Sequence, residues 1–133
     1  MYFPPKFEMN LQEAIKVLKL AYKYQFIDIL IVNQFLNEQV ILIGSDNFED
    51  FVINRLTKIL DKIQPVYLIN QLNSYYDHFA LDCDTGFLLW TVLLLKSKER
   101  FSEMLAVNHA KLPDSKTVLD RIKNIILKIK DQV

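Results

Sequence analysis

Two glycines in 133 residues leave this chain almost none of the turn chemistry that a β-rich domain needs. Gly44 and Gly86 stand far apart, and no alternating polar–apolar run is bounded by hairpin dipeptides. Apolar residues recur instead every three or four positions, the spacing that gathers them on one face of a helix. The sequence therefore predicts an all-α fold: a compact bundle of about six short helices, mostly antiparallel to their neighbours.

The helices can be placed by their start signals and stripes. Asn10 followed by Glu13 has capping-box spacing, and Ala14, Val17, Leu18, Ala21 and Tyr22 form the apolar face behind it. The pattern pauses near Gln25. A second helix of roughly three turns carries Ile27, Leu30, Ile31, Gln34, Phe35 and Glu38. A loop around Ile43-Gly44-Ser45 precedes a third, where Asp46 and Glu49 repeat the cap spacing ahead of Phe48, Phe51, Val52, Leu56, Ile59, Leu60 and Ile63. Pro65 ends that helix and opens the fourth, which carries Val66, Leu68, Ile69, Leu72, Tyr75, Tyr76 and Phe79. Residues 82–86 read as a loop in which Asp84 caps a helix over residues 87–105. That helix is apolar all round at first and charged from Lys96 to Arg100, so its first half should be the most buried segment. After Pro113-Asp114-Ser115, a last helix from Lys116 towards Lys130 turns Val118, Leu119, Ile122, Ile125, Ile126 and Ile129 inward.

Composition narrows the class. A hydrophobic fraction of 51% excludes a disordered chain. Sixteen basic residues cancel sixteen acidic ones, which argues against nucleic-acid binding and offers little charge-based help to solubility. Cys83 has no second cysteine to pair with, and residues 1–6 show no signal-peptide pattern, so a cytoplasmic or nuclear location is expected. Residues 87–95 are cleanly apolar but number nine, against the about 20 a spanning helix needs, so no membrane span is expected. No linker or low-complexity stretch divides the chain, and residues 1–133 read as one domain.

No catalytic, metal or cofactor motif emerges. The run Asp82-Cys83-Asp84-Thr85-Gly86 starts like a calcium loop, but Gly86 falls at position five and Leu93 at twelve, where six and a glutamate are required. His78, Cys83 and His109 could be drawn as a zinc set or, with Asp82 or Asp84, as a cysteine–histidine pair, yet nothing in the sequence brings them together. No phosphate loop, GxSxG elbow or HExxH is present. In the closing helix Lys116, Arg121, Lys123, Lys128 and Lys130 flank an isoleucine stripe, a pattern shared by membrane-surface helices and by core-packed helices with solvated lysines; the second is the commoner. Tyr22, Tyr24, Tyr67, Tyr75 and Tyr76 are either an exposed contact patch or half-buried residues with wet hydroxyls. The candidate interaction surface is Tyr22, Tyr24, Phe26, Phe35, Tyr75 and Tyr76.

The segment Tyr2-Phe3-Pro4-Pro5-Lys6, then Asn10 and the run from Ala14 to Gln25, resembles the second half of a BTB/POZ domain, closest to the MATH-BTB type. The family's closing Phe-Leu helix would be Ile31-Val32-Asn33-Gln34-Phe35-Leu36, with Asn33 and Gln34 where a cysteine or glutamate is usual. Residues 1–40 carry the likeness, residues 46–133 would be the further helices, and Lys116 to Ile122 is similar to the ending of the same group. The resemblance implies a non-enzymatic adaptor linking a substrate to a cullin-type ubiquitin ligase, or a self-associating module. The family's first half, with its sheet and dimer helix, has no counterpart here, so the chain would be a fragment, a mis-started reading frame or a divergent relative. The alternative is a standalone helical bundle, regulatory or pathogen-derived, with a partner of its own. An enzyme using Cys83 and a histidine ranks third.

Overall fold

The computed structural model describes residues 9–26, 29–36, 47–107 and 114–131. Among them lie six α-helices and no strand: α1 (Leu11–Lys23), α2 (Ile29–Phe35), α3 (Phe48–Lys62), α4 (Pro65–Tyr75), α5 (Asp84–Val107) and α6 (Ser115–Asp131). The all-α bundle expected from periodicity is what forms.

Helix α1 starts as its sequence dictates. The Glu13 backbone N–H donates to Asn10 Oδ1 at 2.8 Å, and Asn10 Nδ2 donates to Glu13 Oε1 at 2.8 Å. The box thus closes between side chains rather than on the Asn10 backbone. The end of α1 is a six-to-one turn: Phe26 N–H reaches the Ala21 carbonyl at 2.8 Å and Gln25 N–H that of Tyr22 at 3.1 Å. Gln25 holds the left-handed position (φ 64°) that glycine usually fills, which explains the pause in the helical pattern. Helix α2 is shorter than the three turns expected; Ile27 and Glu38, its expected outer members, lie outside the described residues. So do Asp46 and the Ile43-Gly44-Ser45 loop; α3 instead has Asn47 at its cap position with no side-chain cap bond.

Pro65 occupies the first position of α4, as its missing N–H favours. Beyond Tyr75 the helix widens into a π turn over Tyr76–Ala80. This turn packs straight onto α5. A Cβ added at Gly86 would lie 2.6 Å from the Phe79 Cβ and carbonyl oxygen, so only glycine fits. The expected loop over residues 82–86 is wrong beyond Cys83: Asp84, Thr85 and Gly86 are already helical. Cys83, not Asp84, takes the cap position, its carbonyl accepting from Phe87 N–H at 2.8 Å and its Sγ facing Gly86 N–H at 3.4 Å.

Helix α5 is the axis of the molecule. Every residue from 87 to 95 is buried, Trp90 and Leu93 completely. Two of its three buried hydroxyls are satisfied within the helix, Thr91 Oγ1 donating to the Phe87 carbonyl at 2.8 Å and Ser97 Oγ to that of Leu93 at 2.7 Å. Past the charged stretch the backbone leaves helical values at Phe101 (φ −133°, ψ 35°) and α5 kinks. Two helices run antiparallel to it. Thr85 Oγ1 at the start of α5 donates to the Phe26 carbonyl just after α1 (3.1 Å), while Met9–Gln12 face Leu95–Ser102 at the other end. Likewise Tyr76 meets Trp90 at a tilt and Phe79 abuts Gly86. Helix α6 buries Val118, Ile122, Ile125 and Ile129 of its expected stripe, with Leu119 and Ile126 only half-buried, and is capped by Asp114, whose Oδ2 accepts from Thr117 N–H at 3.3 Å.

Candidate interaction surface

The six aromatic residues expected to form one surface divide into two clusters. Tyr22 of α1 lies flat on Phe48 of α3, centroids 4.3 Å apart and planes at 5°. Tyr24 caps the end of α1 with the Lys23 ammonium 5.5 Å from its ring centre, and Phe26 follows after the left-handed Gln25. These three are half-buried and packed against the core.

The second cluster surrounds the π turn. Phe35 of α2 meets Tyr75 at 4.4 Å and Phe79 edge-on at 6.2 Å, while Tyr76 meets Trp90 at 4.9 Å. Phe35 is completely buried, which corrects its place in the expected surface: an aromatic filling the gap between α2 and the π turn has no face left for a partner. The Tyr75 hydroxyl accepts from Gln71 Nε2 at 3.0 Å. Burial raises the Tyr75 pKa, and the Gln71 bond offsets part of that rise. These tyrosines hold helices together.

Accessible apolar surface lies elsewhere. Val66, expected with the apolar residues of α4, is instead 48% exposed, because the buried face runs through Leu68, Ile69 and Leu72; it lies beside Tyr67, 62% exposed, in the first turn. The other large exposed apolar side chains among the described residues are Leu20, Leu81, Met104 and Leu127, scattered along the chain. The signal for Tyr67 was present in the sequence: the α4 stripe runs through Leu68, Ile69 and Leu72, which leaves position 67 off the buried face.

Polar side chains singled out by the sequence take up structural positions. Arg121 of α6 lies over the Phe87 ring at 4.4 Å, donates to the Ala80 carbonyl at the end of the π turn, and reaches Asp84 Oδ1 at 3.3 Å. Lys128 Nζ takes the other carboxylate oxygen at 2.8 Å. Burial pushes the Asp84 carboxyl up, but Lys128 and Arg121 together outweigh it and hold the group below the usual aspartate value. Position 84, expected as a helix cap, is thus the point where α6 is clamped to α5. His78 is exposed, Cys83 is half-buried at the α5 cap, and His109 lies outside the described residues. Among the described residues no group of three or more His, Cys, Asp or Glu could hold a metal ion, and no helix is long and apolar enough to cross a membrane.

No family model matches the chain, and no curated protein or solved structure matches it significantly.

Proposed function

We propose that this chain is a non-enzymatic protein–protein interaction module, a helical bundle that meets its partner through the start of α4. The observation that carries this reading is the adjacent pair Val66 and Tyr67, exposed on a helix whose Leu68, Ile69 and Leu72 are buried. A tyrosine offers large contact area for few rotatable bonds and is over-represented among residues that dominate binding energy.

A BTB-type adaptor delivering a substrate to a cullin-type ligase is a narrower form of the same reading. It asks α1 and α2 to leave an apolar face open for a sheet. Here α1 buries Ala14, Ile15, Val17, Leu18 and Ala21, and α2 with the residue after it buries Val32, Phe35 and Leu36, beneath the chain's own helices. That burial favours the broader form, in which binding uses the outside of the bundle.

The test is a photoreactive benzoyl-phenylalanine at position 67, irradiated in cells, with the same residue at exposed Asp120 as control. One discrete adduct from position 67, lost when Val66 is changed to Glu, is expected; the adduct's mass separates a second copy of the chain from a different protein. Indistinguishable adducts from both positions, or none from position 67, would sink the reading.

A further inference from the structure

Helix α3 does not seal evenly against the bundle. Between α1, α3 and α5 lies a crevice of about 240 Å³ walled by Leu11 and Ile15 on one side and Ile53 and Leu56 on the other. Gln12, Glu49 and Lys96 stand around it. A second crevice of about 300 Å³, lined by Thr57, Leu60, Glu99 and Arg100, shares Lys96 and lies beneath the far half of α3. Lys96 thus lies between an apolar-walled crevice and one lined mostly by polar residues, its side chain 30% exposed.

The ammonium of Lys96 is weakly engaged: its partner Glu99 is 4.0 Å away, at the limit of an ion pair, on a side chain 66% exposed. The other charges nearby are committed or repelling. Arg100 binds Asp61 at 2.6 Å, and Glu49 faces Lys19 at 3.9 Å. A ligand here would therefore meet one receptive cation set in apolar walls, with two carboxylates, Glu49 and Glu99, at the edges.

We propose that the space under α3 binds an aliphatic monocarboxylate, its chain between Leu11, Ile15, Ile53 and Leu56 and its carboxylate on Lys96. The apolar walls select the chain, since burying methylenes is the main source of affinity for such a ligand. Lys96 selects the sign of the head, because an ammonium with its stem in apolar surroundings gains most from a singly charged partner brought into the same low-dielectric space. Glu49 and Glu99 select against phosphates and dicarboxylates, whose second charge would face a carboxylate. The site is separate from the Val66–Tyr67 surface and does not depend on that reading.

The experiment titrates the full chain by calorimetry with decanoate, decylamine and decanol, all below their micelle concentrations. Saturable one-to-one binding of decanoate, with decylamine and decanol weaker by about tenfold or more, is expected. Lys96→Met should weaken decanoate by about tenfold or more while leaving decanol unchanged, and Lys96→Arg should retain it. Ile53→Trp, which fills the crevice, should remove binding of all three. No saturable decanoate binding, equal binding of decylamine, or an unchanged Lys96→Met variant would each overturn the proposal. Should a variant fail to fold, the ranking of the three decyl compounds on the native chain decides alone.

Discussion

Helices α5 and α3 bury apolar residues in opposite ways. From residue 87 to 95 α5 has no solvent side; the Thr91 hydroxyl is satisfied inside the helix, and the Trp90 indole N–H is buried without a hydrogen-bond partner among the described residues. Helix α3 buries one row, Phe48, Val52, Leu56 and Leu60, at strict four-residue spacing; its ends meet the bundle through exposed ion pairs, Lys19–Glu49 and Arg100–Asp61. A helix surrounded by others cannot relax when an atom is removed, whereas one packed along a single row can settle. The energetic weight of a buried leucine should therefore depend on its helix more than on its exposure.

The largest expected effect tests that directly. Leu93 and Leu56 are both essentially buried, at 0% and 2% exposure. Leu93→Ala should cost about 4 kcal/mol and Leu56→Ala about 2–3 kcal/mol, read as urea midpoints at constant slope. Equal costs would mean that α3 is held as rigidly as the central helix.

A middle-sized effect concerns the clamp at the start of α5. Asp84→Asn should cost about 1 kcal/mol at neutral pH, through loss of the charge shared by Arg121 and Lys128. Because the folded-state pKa of Asp84 lies below its unfolded value, its contribution is whole above the ordinary aspartate pKa of about 3.9 and disappears as pH falls through the folded value. The stability difference between the native chain and the Asp84→Asn variant should thus be flat from neutral pH down to mild acid and close only in strong acid. A gap that closes between about pH 6 and 8, the range in which histidine titrates, would assign the effect to another group.

The smallest effect is expected at α3. Arg100→Ala should change stability by no more than about 0.5 kcal/mol despite the 2.6 Å contact with Asp61, because both side chains are about half exposed. A larger loss would place α3 under ionic rather than apolar control.

Local signals were legible where the deciding physics is local. The Asn10–Glu13 cap, Pro65 at the start of α4 and the stripes of α1 and α6 follow from side-chain and backbone chemistry within one or two turns. The burial of residues 87–95 was equally plain, since a segment apolar on every side has to be surrounded. What escaped depends on contacts between distant segments. Asp84, Thr85 and Gly86 look like loop residues until Phe79 approaches so closely that only glycine fits, and until Arg121 and Lys128 arrive from α6 to hold Asp84. No local rule announces the π turn or the Phe101 kink. The burial of Phe35 and the exposure of Val66 escaped for the same reason, because which of them faces water is set by where α2 and α4 dock. The crevice under α3 had no sequence signal, because three helices have to meet before it exists.

The uniformly apolar stretch in α5 also governs how the protein behaves when it is not folded. Detaching α6 or α3 uncovers part of a nine-residue segment with no charge, proline or polar interruption beyond Thr91. A chain with zero formal net charge and a pI near 6.7 has no long-range repulsion at neutral pH to keep two such segments apart. Refolding therefore competes with association, so recovery of native protein should fall with concentration and improve in buffers well away from neutrality.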